Sequence, residues 1–168
     1  SDLLAEGNWP QVLALYDAVV PGAEQQRASR LARVMEMRLF KALALEALDW
    51  YARGKLHFYA KRGQLNFSCA DCHVYNAGSM ARGNLLSPAL GHVTHFPVWR
   101  KSWEKKAEAK GKRGPTRGFG TIQKRYGGCN KQVRAKDFKA QSDEYKALEY
   151  FLTYMASGKP VNAPSYRQ

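Results

Sequence analysis

The stretch NFSCADCHVYN, residues 66–76, constrains this chain more than any other. Two cysteines separated by two residues, Cys69 and Cys72, are followed at once by His73. In this pattern the two thiols add to the vinyl groups of a porphyrin as thioethers, and the helical turn between them places the adjacent imidazole beneath the iron. The motif predicts one covalently bound haem c, with His73 as the proximal iron ligand.

Two other uses of a C-x-x-C pair are a thioredoxin-type redox motif and half of a zinc site. The redox motif follows a strand, whereas helical spacing precedes the motif here, and a zinc site needs two further ligands at suitable spacing. The adjacent histidine favours haem attachment. In bacteria this attachment occurs in the oxidising periplasm, so we expect a periplasmic protein.

Length and charge narrow the remaining classes. A chain of 168 residues with 45% hydrophobic residues fits one domain, or one domain with an extension. Its 27 Lys and Arg against 14 Asp and Glu give a net charge of +13, which attracts anions. No nucleic-acid motif with interleaved aromatic residues is present, so we expect no nucleic acid as partner. No apolar run reaches the roughly 18 to 20 residues of a membrane span.

The periodicity of apolar residues predicts a mostly α fold. A short helix is expected to begin near Pro10, and residues 24–61 show helical spacing without a proline, with Gly54 as the candidate break. Residues 62–121 are rich in glycine and proline and predict loops with short helices. Within them, residues 100–114 form a helical stretch and a basic loop, interpreted as a solvated insertion.

A terminal amphipathic helix is predicted from the segment SDEYKALEYFLTYMASG. Ser142 is its candidate N-cap and Gly158 its candidate C-cap, with apolar residues at helical spacing between them. No strand-like alternation of any length is present.

The sixth iron ligand has five candidates: Met80, His92, His95, Cys129 and Met155. Small c-type cytochromes deliver it from a loop just before the terminal helix, here residues 121–142. That region contains neither Met nor His but does contain Cys129, which is the leading candidate. A thiolate ligand donates electron density and lowers the iron potential, which suits sulfur chemistry better than general electron transfer.

The surroundings of Cys129 in the sequence are basic. We expect nearby cations to favour a thiolate and to attract anionic substrates, namely Lys124, Arg125, Lys131 and Arg134. Gly127 and Gly128 permit close backbone approach. The alternative is an ordinary buried thiol beside a solvated basic face.

Four blocks, in order, resemble the SoxA family, the haem subunits of the periplasmic SoxAX cytochromes that start thiosulfate oxidation. They are YAKRGQLNFSCADCH, LGHVTHFPVWR, KRYGGCNKQVRAKDF and EYKALEYFLTYMASGKPVNAP. The resemblance implies a class I cytochrome c-like catalytic domain at residues 51–168. Residues 1–50 would be an N-terminal helical extension in place of the cytochrome-like N-terminal domain that the family usually carries.

The resemblance also implies a reaction, an L-cysteine S-thiosulfotransferase activity. In the family, thiosulfate is oxidatively joined to a cysteine of a separate sulfur carrier, SoxYZ, and two electrons pass through haem to a monohaem cytochrome partner, SoxX. The haem-ligating cysteine can be carried as a persulfide, and an arginine four residues earlier belongs to the active site. These positions correspond to Cys129 and Arg125, so the expected iron ligands are His73 and Cys129.

Two other functions stay open on the sequence. One is a monohaem electron carrier with His73 and either His92 or Met80 on iron, in which Cys129 is incidental. The other is a thiosulfate dehydrogenase that forms tetrathionate, since such enzymes also resemble this chain in using a cysteine-ligated haem. The presence of a single haem motif weakens the second.

Overall fold

The computed structural model describes residues 24–81 and 83–167. The helices are α1 Glu24–Tyr59, α2 Lys101–Glu108, α3 Ile122–Gln132 and α4 Asp143–Met155, with a π-helical turn at Asp71–Tyr75 and a 3-10 turn at His92–His95. The strands are β1 Met80–Ala81, β2 Asn84–Leu85, β3 Val98–Arg100, β4 Phe119–Gly120 and β5 Ser165–Arg167. The predicted mostly α fold is confirmed. The helix expected near Pro10 lies outside the described residues.

The chain divides into two compact units, Ser1–Ala47 and Leu48–Gln168. All five predicted site residues belong to the second unit. The domain boundary predicted between residues 50 and 51 stays a prediction. Among the described residues, no helix has the combination of length and apolar character that crossing a bilayer requires.

Helix α1 continues through Gly54, where the sequence suggested a break. A Cβ atom added at Gly54 would lie 2.0 Å from the Ala147 carbonyl oxygen and 2.6 Å from the Phe151 Cβ. The missing side chain therefore allows the last turns of α1 to pack directly against the backbone of α4. This glycine is explained by helix packing.

Helix α4 forms the centre of the core. Ser142 caps it as predicted, with its Oγ accepting the Tyr145 backbone N–H at 3.5 Å. One face is buried, comprising Tyr145, Ala147, Leu148, Phe151 and Leu152. All of these side chains except Ala147 pack with Phe58 of α1 and with Ile122 and Tyr126 of α3. The helix ends at Met155, before the predicted C-cap Gly158, which lies in the following turn at φ 79°.

A small sheet, which the sequence did not predict, has the order β4-β3-β5. Strand β3 pairs antiparallel with β4 and parallel with β5, and Trp99 of β3 stacks on Tyr166 of β5 at 4.9 Å between ring centroids. Strands of two or three residues are too short to show an alternating pattern. Helix α2 lies beside this sheet, with the Trp103 ring against Gly120 of β4, and its Ala107 is buried, so residues 100–114 are only partly the solvated insertion predicted.

Candidate haem and sulfur site

A cavity of about 420 Å³ in the second unit brings all the predicted site residues together. Cys69, Cys72, His73, Arg125 and Cys129 line it. The rest of the lining is largely apolar and includes Phe58, Leu65, Phe67, Leu85, Leu86, Ala89, Ile122, Leu148 and Leu152. A mostly apolar cavity with a few converging polar groups is the usual form of a cofactor site.

The turn that carries Cys69 and Cys72 is held by a reciprocal pair of side chains. The backbone N–H and the hydroxyl of Ser68 donate to Asp71 Oδ2 at 2.7 and 2.8 Å, and the Asp71 N–H donates to Ser68 Oγ at 3.1 Å. These bonds lower the pKa of the Asp71 carboxyl. The S-x-x-D spacing is a capping-box pattern, so the sequence contained a local signal for this device beside the haem motif.

His73 is oriented by a backbone carbonyl. Its Nδ1 lies 2.7 Å from the Ser87 carbonyl oxygen, which can only accept, so Nδ1 carries the proton in this arrangement. The basic nitrogen of that tautomer is Nε2, which would be free to bind the iron of a haem. Ser87 lies fourteen residues away in the chain, and no sequence pattern pointed to it.

Cys129 lies on helix α3 and not in the loop that the sequence predicted for residues 121–142. Thr121 caps this helix, with its Oγ1 accepting the Lys124 N–H at 3.3 Å. Asn130 anchors it to α4 because its Nδ2 donates to the Tyr145 hydroxyl oxygen at 2.9 Å. The thiol is therefore presented from a regular, anchored element.

Arg125 is the member of the predicted basic surround that lines the cavity. A Cβ atom at Gly128 would lie 3.6 Å from Arg125 Nη1, so the guanidinium extends along α3 towards the turn of Cys129.

The two lysines of the predicted basic surround interact elsewhere. Lys124 Nζ lies over the Trp103 ring, 4.2 Å from its centroid, and Lys131 pairs with Asp137 at 3.1 Å. Neither of these two lysines is among the residues lining the cavity.

Arg62 also lines the cavity, although no sequence pattern singled it out. It hydrogen-bonds to the ring and the backbone carbonyl of His57, and it donates to the Ala60 carbonyl oxygen at 3.2 Å. Burial, and then the charge of Arg62, lower the pKa of His57 from 6.5 to about 4. His57 is accordingly neutral at pH 7.

The other ligand candidates divide into two groups. Met80 and His92 line the cavity, whereas His95 and Met155 are not among its lining residues. The His92 ring lies 5.2 Å from the His73 ring, centroid to centroid, and its Nε2 is 3.3 Å from Ser87 Oγ. His92 thus packs beside the predicted proximal ligand. Met80 is 66% exposed.

Burial keeps the thiols of Cys69 and Cys72 protonated at neutral pH, because it raises the pKa of both. Burial is the main reason that the pKa of Cys69 rises to about 11, and it also raises the pKa of Cys72. Nearby Cys129 acts in the same direction on both. The effect of Cys129 on the two pKa values agrees with the position of all three cysteines in the lining of one cavity.

The donor set and the shape of this cavity fit haem c. Two thiols and an imidazole come from one turn, and another thiol comes from α3. The Tyr126 hydroxyl, which also belongs to a lining residue, is buried and makes no hydrogen bond to the described residues. A buried hydroxyl without a partner costs about 1–3 kcal/mol, which a group bound in the cavity can offset.

Fold and site define a class I cytochrome c-like domain with an N-terminal helical extension. The chain is 47% identical over 122 residues to the L-cysteine S-thiosulfotransferase subunit SoxA of Allochromatium vinosum and 45% identical over 128 residues to that of Chlorobaculum thiosulfatiphilum. These alignments cover 73% and 76% of this chain and 39% and 40% of the relatives. The chain is homologous to these SoxA subunits over the aligned segment and spans about two fifths of the length of these curated relatives.

A solved structure supports the same relationship. The crystal structure of SoxXA from P. pantotrophus matches with a TM-score of 0.59 at 36% sequence identity, covering 71% of this chain and 40% of that one. No protein-family model matches the chain.

Proposed function

We propose that this chain is the haem c-bearing part of a periplasmic thiosulfotransferase of the SoxAX type. The observation that carries the proposal is that Arg125 and Cys129, from α3, line the same cavity as Cys69, Cys72 and His73. The names of the relatives, L-cysteine S-thiosulfotransferase subunit SoxA, support the same reaction.

The proposed reaction joins thiosulfate to a cysteine of a SoxYZ-like carrier. A carrier thiolate and thiosulfate form one S–S bond and release two electrons, giving the carrier S-thiosulfonate. A SoxX-like monohaem cytochrome, as the second subunit of a heterodimer, would accept these electrons; the similarity to the SoxXA crystal structure supports this partner. Haem bound in the cavity would supply the one-electron chemistry.

Each cavity residue then has a separate role. Cys69 and Cys72 would hold one haem covalently, and His73 would bind iron on the proximal side, held in orientation by the Ser87 carbonyl. Cys129 would be the distal ligand and the sulfur-handling residue. Arg125 presents a planar, charged donor group that suits the sulfonate oxygens of thiosulfate.

Ligand identity separates this proposal from the electron-carrier alternative. In the haem-loaded chain, Cys129→Ala should abolish the low-spin thiolate spectrum and raise the reduction potential, because a strong electron donor is lost. The matched control is Met80→Ala, which removes a competing ligand from the same cavity and should leave both properties unchanged. The opposite pattern, with Met80→Ala altering the spectrum and Cys129→Ala not, would contradict thiolate ligation.

Product analysis separates the transferase from the tetrathionate-forming alternative. With thiosulfate, a thiol-bearing carrier protein and an electron acceptor, the carrier mass should increase by one thiosulfonate group. Tetrathionate formed in the absence of carrier would instead identify a thiosulfate dehydrogenase. The mass of the peptide that contains Cys129 reports directly whether this residue carries an additional sulfur atom.

A further inference from the structure

A groove of about 710 Å³ adjoins the cavity and is more open to solvent than the cavity is. His57 and Arg62 line both, so these two side chains form a shared wall. The groove is lined by the last turns of α1, by the loop after it, by residues 134–138 and by the start of α4. None of the reaction chemistry proposed for the cavity uses this groove.

The lining of the groove is strongly basic. Five cations line it, Arg53, Lys61, Arg62, Arg134 and Lys136, against one carboxylate, Glu144. Arg53 is paired with Asp49 at 3.6 Å. Within the described part of the chain, no carboxylate lies within ion-pair distance of Lys61, Arg134 or Lys136, and all three are exposed. A cluster of like charges with few counter-charges favours an anionic partner.

Backbone contacts hold the groove in shape. Gly63 has φ 71°, and a Cβ atom there would lie 2.1 Å from the Val133 carbonyl oxygen. That oxygen accepts the Leu65 N–H at 3.3 Å, and the Ala135 N–H donates to the Asn130 carbonyl oxygen at 2.9 Å. The two loops that supply Lys61, Arg134 and Lys136 are thus joined to each other and to α3. A preformed site loses less conformational entropy on binding than a mobile one.

Apolar side chains in the lining identify the kind of occupant. Leu56 is 72% exposed and Phe138 is 39% exposed, and both line the groove among the cations. A small hydrated oxyanion gains nothing from such surfaces, whereas a peptide with acidic and apolar side chains can use both. We propose that this groove is the docking site for an extended acidic segment of a partner protein.

The position of the groove deepens the proposed function. Because the groove shares a wall with the cavity that Cys129 lines, a segment docked in the groove would bring its own protein next to that cavity. The identification of that protein with the thiol-bearing carrier rests on the proposed function. The prediction that the docking segment is acidic does not rest on the proposed function, because this prediction follows from the residues of the groove.

The test uses a fluorescein-labelled peptide of alternating Glu and Leu residues, with binding to the haem-loaded chain measured by fluorescence anisotropy at low salt. We expect the Lys61→Glu/Lys136→Glu variant to weaken binding by at least about tenfold. The control Lys105→Glu/Lys110→Glu makes the same change in net charge at two exposed lysines outside the groove and should weaken it by no more than about threefold. Equal losses in the two variants would reduce the effect to net charge and overturn the proposal.

Two further measurements sharpen the result. Glu144→Gln removes the carboxylate of the groove and should tighten peptide binding, which a non-specific loss of structure cannot do. Sulfate should displace the peptide no better than sodium chloride of equal ionic strength. If sulfate displaces it selectively, the groove is a small-anion site and the proposal is wrong.

The failure of this proposal can be told from failure of the proposed function. Peptide binding is measured without turnover, and it is repeated on Cys129→Ala. If Cys129→Ala keeps the parent spectrum while the groove variant still loses the peptide, the docking site stands and thiolate ligation falls. If the Cys129→Ala spectrum changes and the groove variant binds the peptide normally, the docking proposal is wrong and thiolate ligation stands.

Discussion

Arg125 and Cys129 are four residues apart on α3, a spacing that places both side chains on one face of the helix. Both line the cavity. Lys124 and Lys131 occupy other faces and interact with Trp103 and Asp137. At the residue scale, one of the four cations that the sequence places near Cys129 lines the cavity together with this cysteine.

His57 is expected to make the free energy of unfolding depend on pH. Its pKa is lowered from 6.5 to about 4, so the folded chain favours the neutral ring and the unfolded chain binds the proton more readily. The free energy of unfolding should be highest above pH 6.5 and should fall as the pH drops from there towards 4. Because the ring is partly accessible, we expect a loss of about 1–2 kcal/mol.

Urea denaturation of the haem-loaded chain between pH 7 and pH 4.5 measures this effect. The control His57→Gln keeps a polar side chain but cannot titrate, and its stability should change less across the same interval. The carboxyl groups of Asp71, Asp137 and Glu144 have lowered pKa values and contribute mainly at more acidic pH. A parallel decline in parent and variant would rule out His57 as the cause.

At the scale of elements, the contact between α1 and α4 depends on one missing side chain. Gly54→Ala places a methyl group 2.0 Å from the Ala147 carbonyl oxygen, and a backbone atom cannot move aside without displacing α4. We expect the variant to lose about 3 kcal/mol of unfolding free energy, measured by thermal or urea denaturation.

Gly128→Ala is the matched control, since it is also a helical glycine changed to alanine. A Cβ atom there would meet Arg125 Nη1 at 3.6 Å, an ordinary contact with a flexible side chain. Helix propensity should then stabilise the variant by about 0.5–1 kcal/mol. Opposite signs for the two substitutions would establish that packing at Gly54, and not helix propensity, decides the outcome.

At the scale of the whole molecule, the compact unit Leu48–Gln168 contains every residue of the cavity and of the basic groove. We expect a chain that begins at Leu48 to fold, to attach haem through Cys69 and Cys72, and to keep the spectrum of the longer chain. Absorption spectroscopy and the mass of the purified protein check this. Loss of haem attachment in that chain would show that the preceding residues are needed to form the site.

Much of the fold was predictable where the apolar spacing and the capping residues of a helix lie within its own segment of the sequence. The apolar spacing and the Ser142 cap of α4 predicted that helix, and the proline-free spacing of residues 24–61 predicted α1. The ligand loop expected at residues 121–142 is wrong where α3 is helical. The Thr121 cap and the packing against α4 stabilise this helix despite the low helix propensity of Gly127 and Gly128. The short strands, set by pairing between distant segments, had no local signal.

The sequence by itself determined the C-x-x-C-H motif. Cys69, Cys72 and His73 lie within five consecutive residues, so a single turn is enough to bring their side chains together. It also paired Cys129 with Arg125, through the resemblance to the SoxA family, but it expected a loop at these positions. The structure puts both residues on one face of a helix. Only the tertiary structure decided that Ser87 orients His73, that Lys124 and Lys131 lie away from the cavity, and that Lys61 and Lys136 line one groove. The reason is physical: these relations join residues far apart in the chain, and their distances follow from how the helices and loops pack.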